Sequence, residues 1–571
     1  MMNQDQKMLC RWLQAPLEDQ DLTRELLTVR NNEKEVHERF YRSLEFGTAG
    51  LRGELGAGTN RMNIYTVRQA SQGFATFLVG RNAHPSIAIA YDSRHKSELF
   101  ARETASVMAA NGVKVYLYRE LMPTPALSFA VLNCGCDGGV MVTASHNPAR
   151  YNGYKAYDSD GAQISGEVAA AVSANIAKTD IFDDIKRMDF NAAFAEGIIE
   201  YIGEELIDRY LQAVMAQSLR PELCRTAGFR LVYSPLNGAG RRPVLEILRK
   251  IGVTDVTVVP EQEMPDGDFP TCPYPNPEIL EAMQLGLNLT EKLGADLLLA
   301  TDPDGDRVGT AVMQSGKPRL ISGNEMGVLL LDYLCRSRIE LGKMPQHPVA
   351  VKSIVSTTMA DHVAAKYGVE MRSVLTGFKY IGEQIAQLEK EGHPERYLFG
   401  FEESYGYLAG GYVRDKDAVV AAMLICEMAA WYKQRGKTLG EALDDLYAEY
   451  GTFYNKVDSY AFSGSDGMEK MASLMAQLRT HPLEEIAGHP VTSHADYQSG
   501  LRVCGGKESN TGLPSANVLE YLLGDAGSVI VRPSGTEPKL KLYYSLKAPD
   551  RAAAAERYEQ IKADMQQTLD L

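Results

Sequence analysis

The chain has 571 residues, of which 45% are hydrophobic, and it carries a formal net charge of −15. This length exceeds what one hydrophobic core supports, so we expect several domains. The acidic charge argues against a nucleic-acid partner, and no apolar run approaches the roughly 18 residues of a membrane span. Because the first residues lack a signal-peptide pattern and the eight cysteines are scattered, we expect a cytoplasmic protein with reduced thiols. No motif indicates an obligate protein partner.

The first 45 residues are rich in Leu, Glu, Gln and Arg and predict two helices. Their expected inward positions include Trp12, Leu13, Leu22 and Leu26. The next segment, residues 46–53, places three glycines around Arg52. Such a turn exposes backbone amides, so Arg52 is a candidate anion ligand, with a plain linker as the alternative.

A pattern of apolar strand, helix, second apolar strand and polar loop then occurs three times. The strands of the three copies are predicted at residues 87–91 and 140–142, at 230–233 and 296–300, and at 349–352 and 397–399. The loops that follow the second strands are residues 143–148, 302–307 and 400–406. Strands that alternate with helices favour parallel sheets, so we predict an α/β protein with three similar α/β domains and mostly parallel mixed sheets. One large sheet with three unrelated turns is the alternative.

The pattern changes from about Gly451 onward. This segment opens near residues 454–457 and is predicted to have helices around 467–478 and at the C-terminus. Strands are predicted at 528–531 and 539–544, and a fourth polar loop spans 532–538. This segment predicts a smaller α+β C-terminal domain. We predict domains at 1–207 (N-terminal helices and the first loop), 208–324, 325–448 and 449–571, arranged around one central cleft.

The first loop offers a serine at the end of a buried strand. Open α/β sheets place chemistry at the carboxyl ends of their strands, so Ser145, followed by His146, is a candidate nucleophile or phosphate carrier. The alternative is a simple turn in which Ser145 and Asn147 act as local caps.

The second loop is the most specific of the four. Asp302, Asp304 and Asp306 alternate after an apolar strand, and three such carboxylates suit a hard cation with oxygen ligands. An EF-hand is excluded because Met313 stands at the twelfth position, where that loop needs Glu. Arg307 can hold a phosphate bidentately beside the metal.

The third and fourth loops indicate a sugar and an anion. Carboxylates and hydroxyls in residues 400–406 suit the vicinal hydroxyls of a sugar, and Lys379 lies shortly before them. Arg532, Ser534, Gly535 and Thr536 offer a guanidinium, two hydroxyls and inward amides for a phosphate, with a β-turn as the alternative. A serine, a metal, a sugar site and a phosphate site together predict phosphoryl transfer on a sugar phosphate.

These four motifs, in this order, resemble those of the α-D-phosphohexomutases, and within that family the bacterial phosphoglucomutase branch. The resemblance implies that Ser145 is phosphorylated and that it binds one Mg²⁺ together with Asp302, Asp304 and Asp306. It also implies that Glu402 and Ser404 bind the sugar hydroxyls. The phosphate that is not transferred would be bound by Arg532, Ser534, Gly535 and Thr536. Further active-site positions match Arg52, His146, Lys155, Arg307 and Lys379.

The implied reaction interconverts glucose 1-phosphate and glucose 6-phosphate. Phosphorylated Ser145 would give its phosphoryl group to the hexose phosphate, and glucose 1,6-bisphosphate, the intermediate and activator, would reorient and return its other phosphoryl group. Either Lys155, with a lowered pKa, or His146 would transfer protons, and the sequence does not decide between these two residues. Hexose phosphates are the expected small-molecule partners.

Other activities remain open. The sugar loop has Tyr405 and Tyr407 around Gly406, whereas phosphomannomutase-type members have a histidine after the glycine. This favours glucose without excluding a phosphomannomutase or phosphopentomutase. A metal-dependent sugar phosphatase is a further alternative, and a sugar-phosphate sensor is disfavoured by the intact serine and aspartates.

Overall fold

The computed structural model describes residues 3–47, 50–462, 467–534 and 539–570. The chain forms two compact units. The first comprises Met1–Ile321, Gly382–Pro394 and Gly406–Gly436, and the second comprises Ser322–Ile381, Glu395–Tyr405 and Lys437–Leu571. Among the helices of the described residues, none combines the length and apolar content that crossing a membrane requires.

Three helices, rather than the predicted two, begin the first unit: α1 Gln4–Gln14, α2 Gln20–Val29 and α3 Glu33–Phe40. A side-chain oxygen caps each of them, from Asn3, Asp19 and Asn32 in turn. The third helix was missed because its start depends on the Asn32 cap, which accepts a hydrogen bond from the Glu35 amide. Of the expected inward residues, Trp12, Leu22 and Leu26 are buried and Leu13 is half-buried.

The first sheet and its helices follow. The elements are β1 Leu51–Glu54, α4 Ile64–Arg81, β2 Ser86–Tyr91, α5 Ser97–Ala110, β3 Lys114–Tyr118, α6 Thr124–Cys134, β4 Gly138–Val142, β5 Tyr151–Asp158, α7 Gly166–Lys178, α8 Phe190–Ala195, β6 Ile199–Ile202 and α9 Glu204–Met215. The strand order is β1-β5-β4-β2-β3-β6. Strand β2 is parallel to both β3 and β4, whereas β5 is antiparallel to β1 and β4. The segments that follow β2 and β4 therefore lie at the same edge of the sheet.

A second sheet completes the core of the first unit. Its elements are α10 Leu223–Ala227, β7 Leu231–Ser234, α11 Arg241–Lys250, β8 Val256–Val258, α12 Pro260–Glu263, α13 Leu280–Leu293, β9 Leu297–Thr301, β10 Val308–Gln314 and β11 Lys317–Ile321. The strand order is β11-β10-β9-β7-β8, with β7 parallel to β8 and β9. Strand β10 is antiparallel to β9, so residues 302–307 form the connection of a hairpin.

The third α/β segment contains α14 Gly323–Glu340, β12 Val349–Ser353, α15 Met359–Lys366, β13 Glu370–Val374, α16 Phe378–Lys390, β14 Tyr397–Glu402, β15 Gly406–Leu408, α17 Ala418–Lys433 and α18 Leu439–Tyr450. In the second unit, β12 is parallel to β13 and β14. Strand β14 was predicted to end at Phe399 but continues to Glu402, since its residues are all buried. The polar loop is therefore shorter than predicted.

The C-terminal domain is built on an antiparallel sheet. Its elements are β16 Thr452–Ala461, α19 Gly467–Thr480, β17 Glu485–Ile486, β18 His489–Pro490, β19 Ser493–Asp496, β20 Leu501–Cys504, β21 Lys507–Asn510, β22 Leu519–Leu522, β23 Gly527–Pro533, β24 Lys539–Ala548 and α20 Arg551–Thr568. Seven strands lie in the order β16-β24-β23-β22-β19-β20-β21, and α19 and α20 contribute to their apolar core. The predicted class, three α/β domains and a smaller α+β domain, is confirmed, whereas the predicted domain boundaries stay predictions.

Candidate active site

The Ser145 loop begins where the fully buried strand β4 ends. Ser145 is buried and has φ +52°, a left-handed conformation that is costly for a residue with a side chain. Its amide donates to Thr143 Oγ1 over 2.7 Å, and that hydroxyl donates to Asp92 Oδ2 over 2.6 Å. Backbone strain of this kind is typical of functional sites, where surrounding contacts hold the residue in place.

The aspartate loop lies directly against this serine. Ser145 Oγ donates to Asp302 Oδ2 over 3.0 Å, and the amides of Asp306 and Arg307 donate to Asp302 Oδ1 over 3.1 and 3.0 Å. Gly305 has φ +61°, and a Cβ added there would lie 2.7 Å from a Pro123 side-chain atom. The connection between β9 and β10 is therefore packed tightly enough to fix its carboxylates.

Three carboxylates converge in this loop. Oxygens of Asp302, Asp304 and Asp306 lie within 4.8 Å of one another, and all three residues are almost completely buried. Asp304 Oδ1 and Asp306 Oδ1 have no hydrogen-bond partner among the described residues. Buried carboxylate oxygens without partners are costly unless a cation binds them, so this donor set fits a metal ion with oxygen ligands.

Two buried lysines contact the carboxylates. Lys155 Nζ lies 2.7 Å from Asp304 Oδ2 and 3.5 Å from Asp306 Oδ2, and Lys416 Nζ lies 3.1 Å from Asp306 Oδ2. Thr124 Oγ1 also donates to Asp304 Oδ2, over 2.9 Å. The positive charges offset the repulsion among the carboxylates.

The three buried groups respond differently to this arrangement. Burial raises the pKa of Asp302 well above its usual range, and the charges of Asp304 and Asp306 raise it further. Burial also acts to raise the pKa of Asp304, but the nearby Lys155 ammonium lowers it below the usual range. For Lys155, burial lowers the pKa, yet the two aspartates outweigh burial and raise it. This direction is opposite to the lowered Lys155 pKa that was one of the two options for proton transfer, because the carboxylates of Asp304 and Asp306 outweigh burial.

The other predicted groups of the first unit lie around Ser145. His146 Nδ1 is 3.2 Å from Ser145 Oγ, and burial together with the Arg307 and Arg52 charges lowers the His146 pKa well below its usual value. Arg52 is exposed and donates to Asn147 Oδ1 over 3.4 Å. Arg307 pairs with Glu278 and lies 3.8 Å from Asp306 Oδ1. The structure thus brings Ser145, His146, Arg52, Lys155, Arg307 and the three aspartates together.

The predicted sugar-binding residues lie in the second unit. Glu402 is buried at the end of β14, where Oε1 accepts a 2.7 Å hydrogen bond from the Gly377 amide. Ser404 follows it in the loop, and Lys379 lies near the start of α16 with its ammonium 5.0 Å from the centre of the Tyr380 ring. The Gly377 contact therefore links the segment that carries Lys379 to the loop that carries Ser404.

The predicted phosphate loop is described in part. Arg532 belongs to β23, and its Nη1 donates to Tyr543 Oη over 3.4 Å. The Ser534 amide donates to the Lys539 carbonyl over 2.7 Å. Gly535 and Thr536 lie outside the described residues.

Sequence reasoning missed Lys416 and its surroundings. Asp415 Oδ1 is 3.0 Å from Lys416 Nζ, and Asp415 Oδ2 accepts hydrogen bonds from Tyr157 over 2.7 Å and from Gln163 over 3.2 Å. The one available signal was the run of alternating charges at residues 414–417, which reads equally well as a solvated turn. Sequence reasoning also missed Arg94, because this residue contacts the Ser145 loop from 51 residues away along the chain.

Asp417, which ends this charged run, caps α17 and is completely buried. Burial raises its pKa to about 6, although the Tyr412 hydroxyl, the Val420 amide and the Tyr210 hydroxyl favour the carboxylate. The folded state consequently binds a proton more tightly than the unfolded chain. The contribution of Asp417 to the free energy of unfolding is therefore largest below about pH 4 and falls as pH rises to about 6.

We expect Asp417→Asn to remove this pH dependence. The stability difference, variant minus wild type, should grow by about 2.4 kcal/mol between pH 4 and pH 7, because the variant lacks the carboxyl group whose pKa folding raises to about 6. Urea unfolding across this pH range, with the exposed cap substitution Asp189→Asn as control, measures it. A difference that is independent of pH would contradict the assignment.

Comparisons with known proteins identify relatives along most of the chain. Models of the phosphoglucomutase/phosphomannomutase family match the chain in order: α/β/α domain I at residues 43–181, domain II at 208–316, domain III at 322–450 and the C-terminal domain at 491–563. A phosphoglucomutase of Staphylococcus epidermidis is 36% identical over 531 residues, which are 92% of this chain and 95% of that protein. One of Staphylococcus aureus is 36% identical over 521 residues, 90% of this chain and 92% of that protein.

The solved structures show the same fold. The pp63/parafusin phosphoglucomutase of Paramecium aligns with a TM-score of 0.68 at 16% identity, covering 93% of this chain and 95% of that one. A phosphoglucomutase/phosphomannomutase family protein of Burkholderia thailandensis aligns with a TM-score of 0.66 at 18% identity, covering 91% and 96%. Since the family models match more than half of the chain in their expected order, the resemblance predicted from the four loops is confirmed, and the chain belongs to the phosphoglucomutase/phosphomannomutase family.

Proposed function

We propose that this protein is a phosphoglucomutase, an isomerase-type phosphotransferase that interconverts glucose 1-phosphate and glucose 6-phosphate. One observation carries the proposal: a buried serine hydroxyl lies 3.0 Å from one of three clustered carboxylates. Phosphoryl transfer is catalysed mainly by positioning and by stabilising charge, and this arrangement supplies both. Family membership and 36% identity to phosphoglucomutases along most of the chain support the same reaction.

The three aspartates and Ser145 would hold one Mg²⁺ ion per chain. Their oxygens are the ligands that this ion prefers. The Oδ1 atoms of Asp304 and Asp306, which have no hydrogen-bond partner among the described residues, support the assignment. When bound, the ion supplies positive charge that stabilises the transferring phosphoryl group.

The remaining polar residues of the first unit would act on protons and charge. His146 Nδ1 lies within reach of Ser145 Oγ, and the lowered pKa of this imidazole favours its neutral form, which can accept the proton of the serine hydroxyl. Lys155, with its raised pKa, would remain a positive charge beside Asp304. Arg52 and Arg307 would bind phosphate oxygens through their guanidinium groups.

The second unit would contribute substrate recognition. Glu402 and Ser404 would bind sugar hydroxyls, and Lys379 would bind an anionic group of the same substrate. Arg532, Ser534, Gly535 and Thr536 would bind the phosphate that is not transferred. Glucose 1,6-bisphosphate would be the intermediate and the activator that phosphorylates Ser145.

The proposed reaction also implies which small molecules the protein binds and in which compartment it acts. The small-molecule partners would be hexose phosphates, and the reaction would take place in the cytoplasm. All eight cysteines are free thiols, which suits a reducing compartment.

We expect the highest kcat/KM for glucose 1-phosphate in a panel with mannose 1-phosphate and ribose 1-phosphate. Sugar discrimination reports contacts made in the transition state, and phosphomannomutase and phosphopentomutase are the activities to separate. A higher kcat/KM for mannose 1-phosphate or ribose 1-phosphate would contradict the assignment of glucose 1-phosphate as the preferred substrate. Release of inorganic phosphate at the turnover rate, without dependence on a bisphosphate, would instead indicate a sugar phosphatase.

A further inference from the structure

The buried side chain of Arg94 donates hydrogen bonds to several backbone carbonyls of the Ser145 loop. Arg94 Nη1 donates to the carbonyl oxygens of Pro148 over 3.0 Å and of Tyr151 over 3.1 Å. Its Nη2 donates to the carbonyl oxygens of Ser145 and Asn147. The side chain has no exposed surface. A single guanidinium therefore binds four carbonyls within seven consecutive residues.

Arg94 is itself held in place from two sides. Its Nε lies 3.4 Å from Asp92 Oδ2, and its guanidinium carbon lies 5.0 Å from the centre of the Phe269 ring. Asp92 Oδ1 accepts hydrogen bonds from the Arg94 amide over 3.0 Å and from Ser97 Oγ over 2.8 Å. A buried ion pair with these additional hydrogen bonds leaves the guanidinium one orientation.

The Asp92–Arg94 pair fixes both the carbonyl and the amide of Ser145, the first directly and the second through Thr143. The Ser145 carbonyl accepts from Arg94, and the Ser145 amide donates to Thr143 Oγ1, which in turn donates to Asp92 Oδ2. Ser145 has a left-handed backbone, which relaxes unless other contacts oppose it. Asp92 and Arg94 supply these contacts, because they follow β2, the parallel neighbour of β4.

We propose that Arg94 is a positioning residue for phosphoryl transfer, which holds the Ser145 hydroxyl at the place where it faces the aspartate cluster. This inference rests on the proposed function, since it assigns a role in the reaction of Ser145. The described hydrogen bonds of the Arg94 guanidinium go to loop carbonyls and not to the Ser145 hydroxyl or to Asp302, Asp304 and Asp306, so Arg94 acts through the loop backbone. A displacement of about 1 Å at a reacting group costs about a hundredfold in rate, which makes such a support important for catalysis.

Lysine cannot replace this arginine. Its single ammonium keeps the charge that Asp92 needs, but it lacks the planar fork whose two terminal nitrogens reach four carbonyls. We expect Arg94→Lys to lower kcat by about a hundredfold while KM for glucose 1-phosphate stays within about threefold. Hydrogen exchange should become faster in residues 143–151 and remain unchanged elsewhere. Arg81→Lys, at the exposed last residue of α4, where the arginine pairs with Asp158, is the matched control.

A kcat of Arg94→Lys within about threefold of wild type would overturn the proposal, because a purely structural arginine would lower the melting temperature and leave turnover per folded molecule unchanged. If Arg94→Lys does not fold, the isosteric Asp92→Asn carries the test, with a kcat loss of about tenfold and faster exchange in 143–151 expected. Unchanged turnover in Asp92→Asn would then overturn it. If the wild type shows no mutase activity, the proposed function fails separately, and unchanged exchange in 143–151 of Arg94→Lys would overturn the positioning role.

Discussion

Ser145→Ala should lower mutase activity by at least about 10⁴-fold, because it removes the hydroxyl that, in the proposed reaction, donates a phosphoryl group in the first transfer and accepts one in the second. Wild-type protein incubated with glucose 1,6-bisphosphate should gain about 80 Da by intact-mass measurement, and the variant should gain nothing. The substitution removes the hydrogen bonds of Ser145 Oγ with Asp302 and with His146 Nδ1 and no apolar contact, so we expect the protein to remain folded. Activity loss and loss of the mass increase should therefore occur together.

A matched control for Ser145→Ala is Ser159→Ala, at an exposed serine in the turn after β5 of the same sheet. It should keep both full activity and the mass increase. Survival of near-wild-type activity in Ser145→Ala would exclude the serine as the phosphoryl carrier. Survival of the mass increase with loss of activity would place the phosphate on another residue.

The parts of the site that sequence predicts best are those contained in one short segment. Asp302, Asp304 and Asp306 follow an apolar strand at alternate positions, and their convergence is a local property of a tight connection. Ser145 was predictable for a similar reason, since the end of a buried strand is where α/β sheets place chemistry. That these two loops meet is a tertiary fact. The predicted central cleft shared by the domains and the resemblance to a family both anticipated it, although neither loop sequence contains it.

The supports of the site were not predictable because their contacts are distant along the chain. Arg94 binds the Ser145 loop only because β2 and β4 are neighbours, and Lys416 reaches Asp306 across 110 positions. Neither residue stands in a motif that indicates its chemistry. The extra helix α3 and the extension of β14 to Glu402 were missed for a different reason, since a single cap and the burial of a strand end decide them.

The aspartates of the cluster should differ in their contributions to stability, because their electrostatic surroundings differ. Burial and the two neighbouring carboxylates raise the pKa of Asp302 well above its usual range, so these surroundings oppose its charged form relative to its neutral form. Asparagine resembles this neutral form and can accept the same two amide hydrogen bonds at its oxygen. We therefore expect Asp302→Asn to leave the melting temperature in EDTA unchanged or raised.

Asp304→Asn should behave in the opposite way. Lys155 Nζ lies 2.7 Å from the Asp304 carboxylate and is buried, so removing that charge leaves an ammonium without its main partner. Breaking a buried ion pair on one side costs about 3–5 kcal/mol, and the melting temperature in EDTA should fall. The two substitutions are of equal size, and each serves as the control for the other.

In the presence of Mg²⁺ the two variants should show the same defects in metal-dependent stabilisation and in activity. Wild-type protein should gain melting temperature when Mg²⁺ is added after EDTA treatment, because an ion that binds only the folded state stabilises it. Both variants should lose most of this gain, and their mutase activity should fall by at least about a thousandfold, since stabilisation of the transferring charge is lost with the ion. A full Mg²⁺-dependent gain in Asp302→Asn would remove Asp302 from the proposed ligand set. Equal melting temperatures of the two variants in EDTA would show that Lys155 does not depend on Asp304 as the geometry implies.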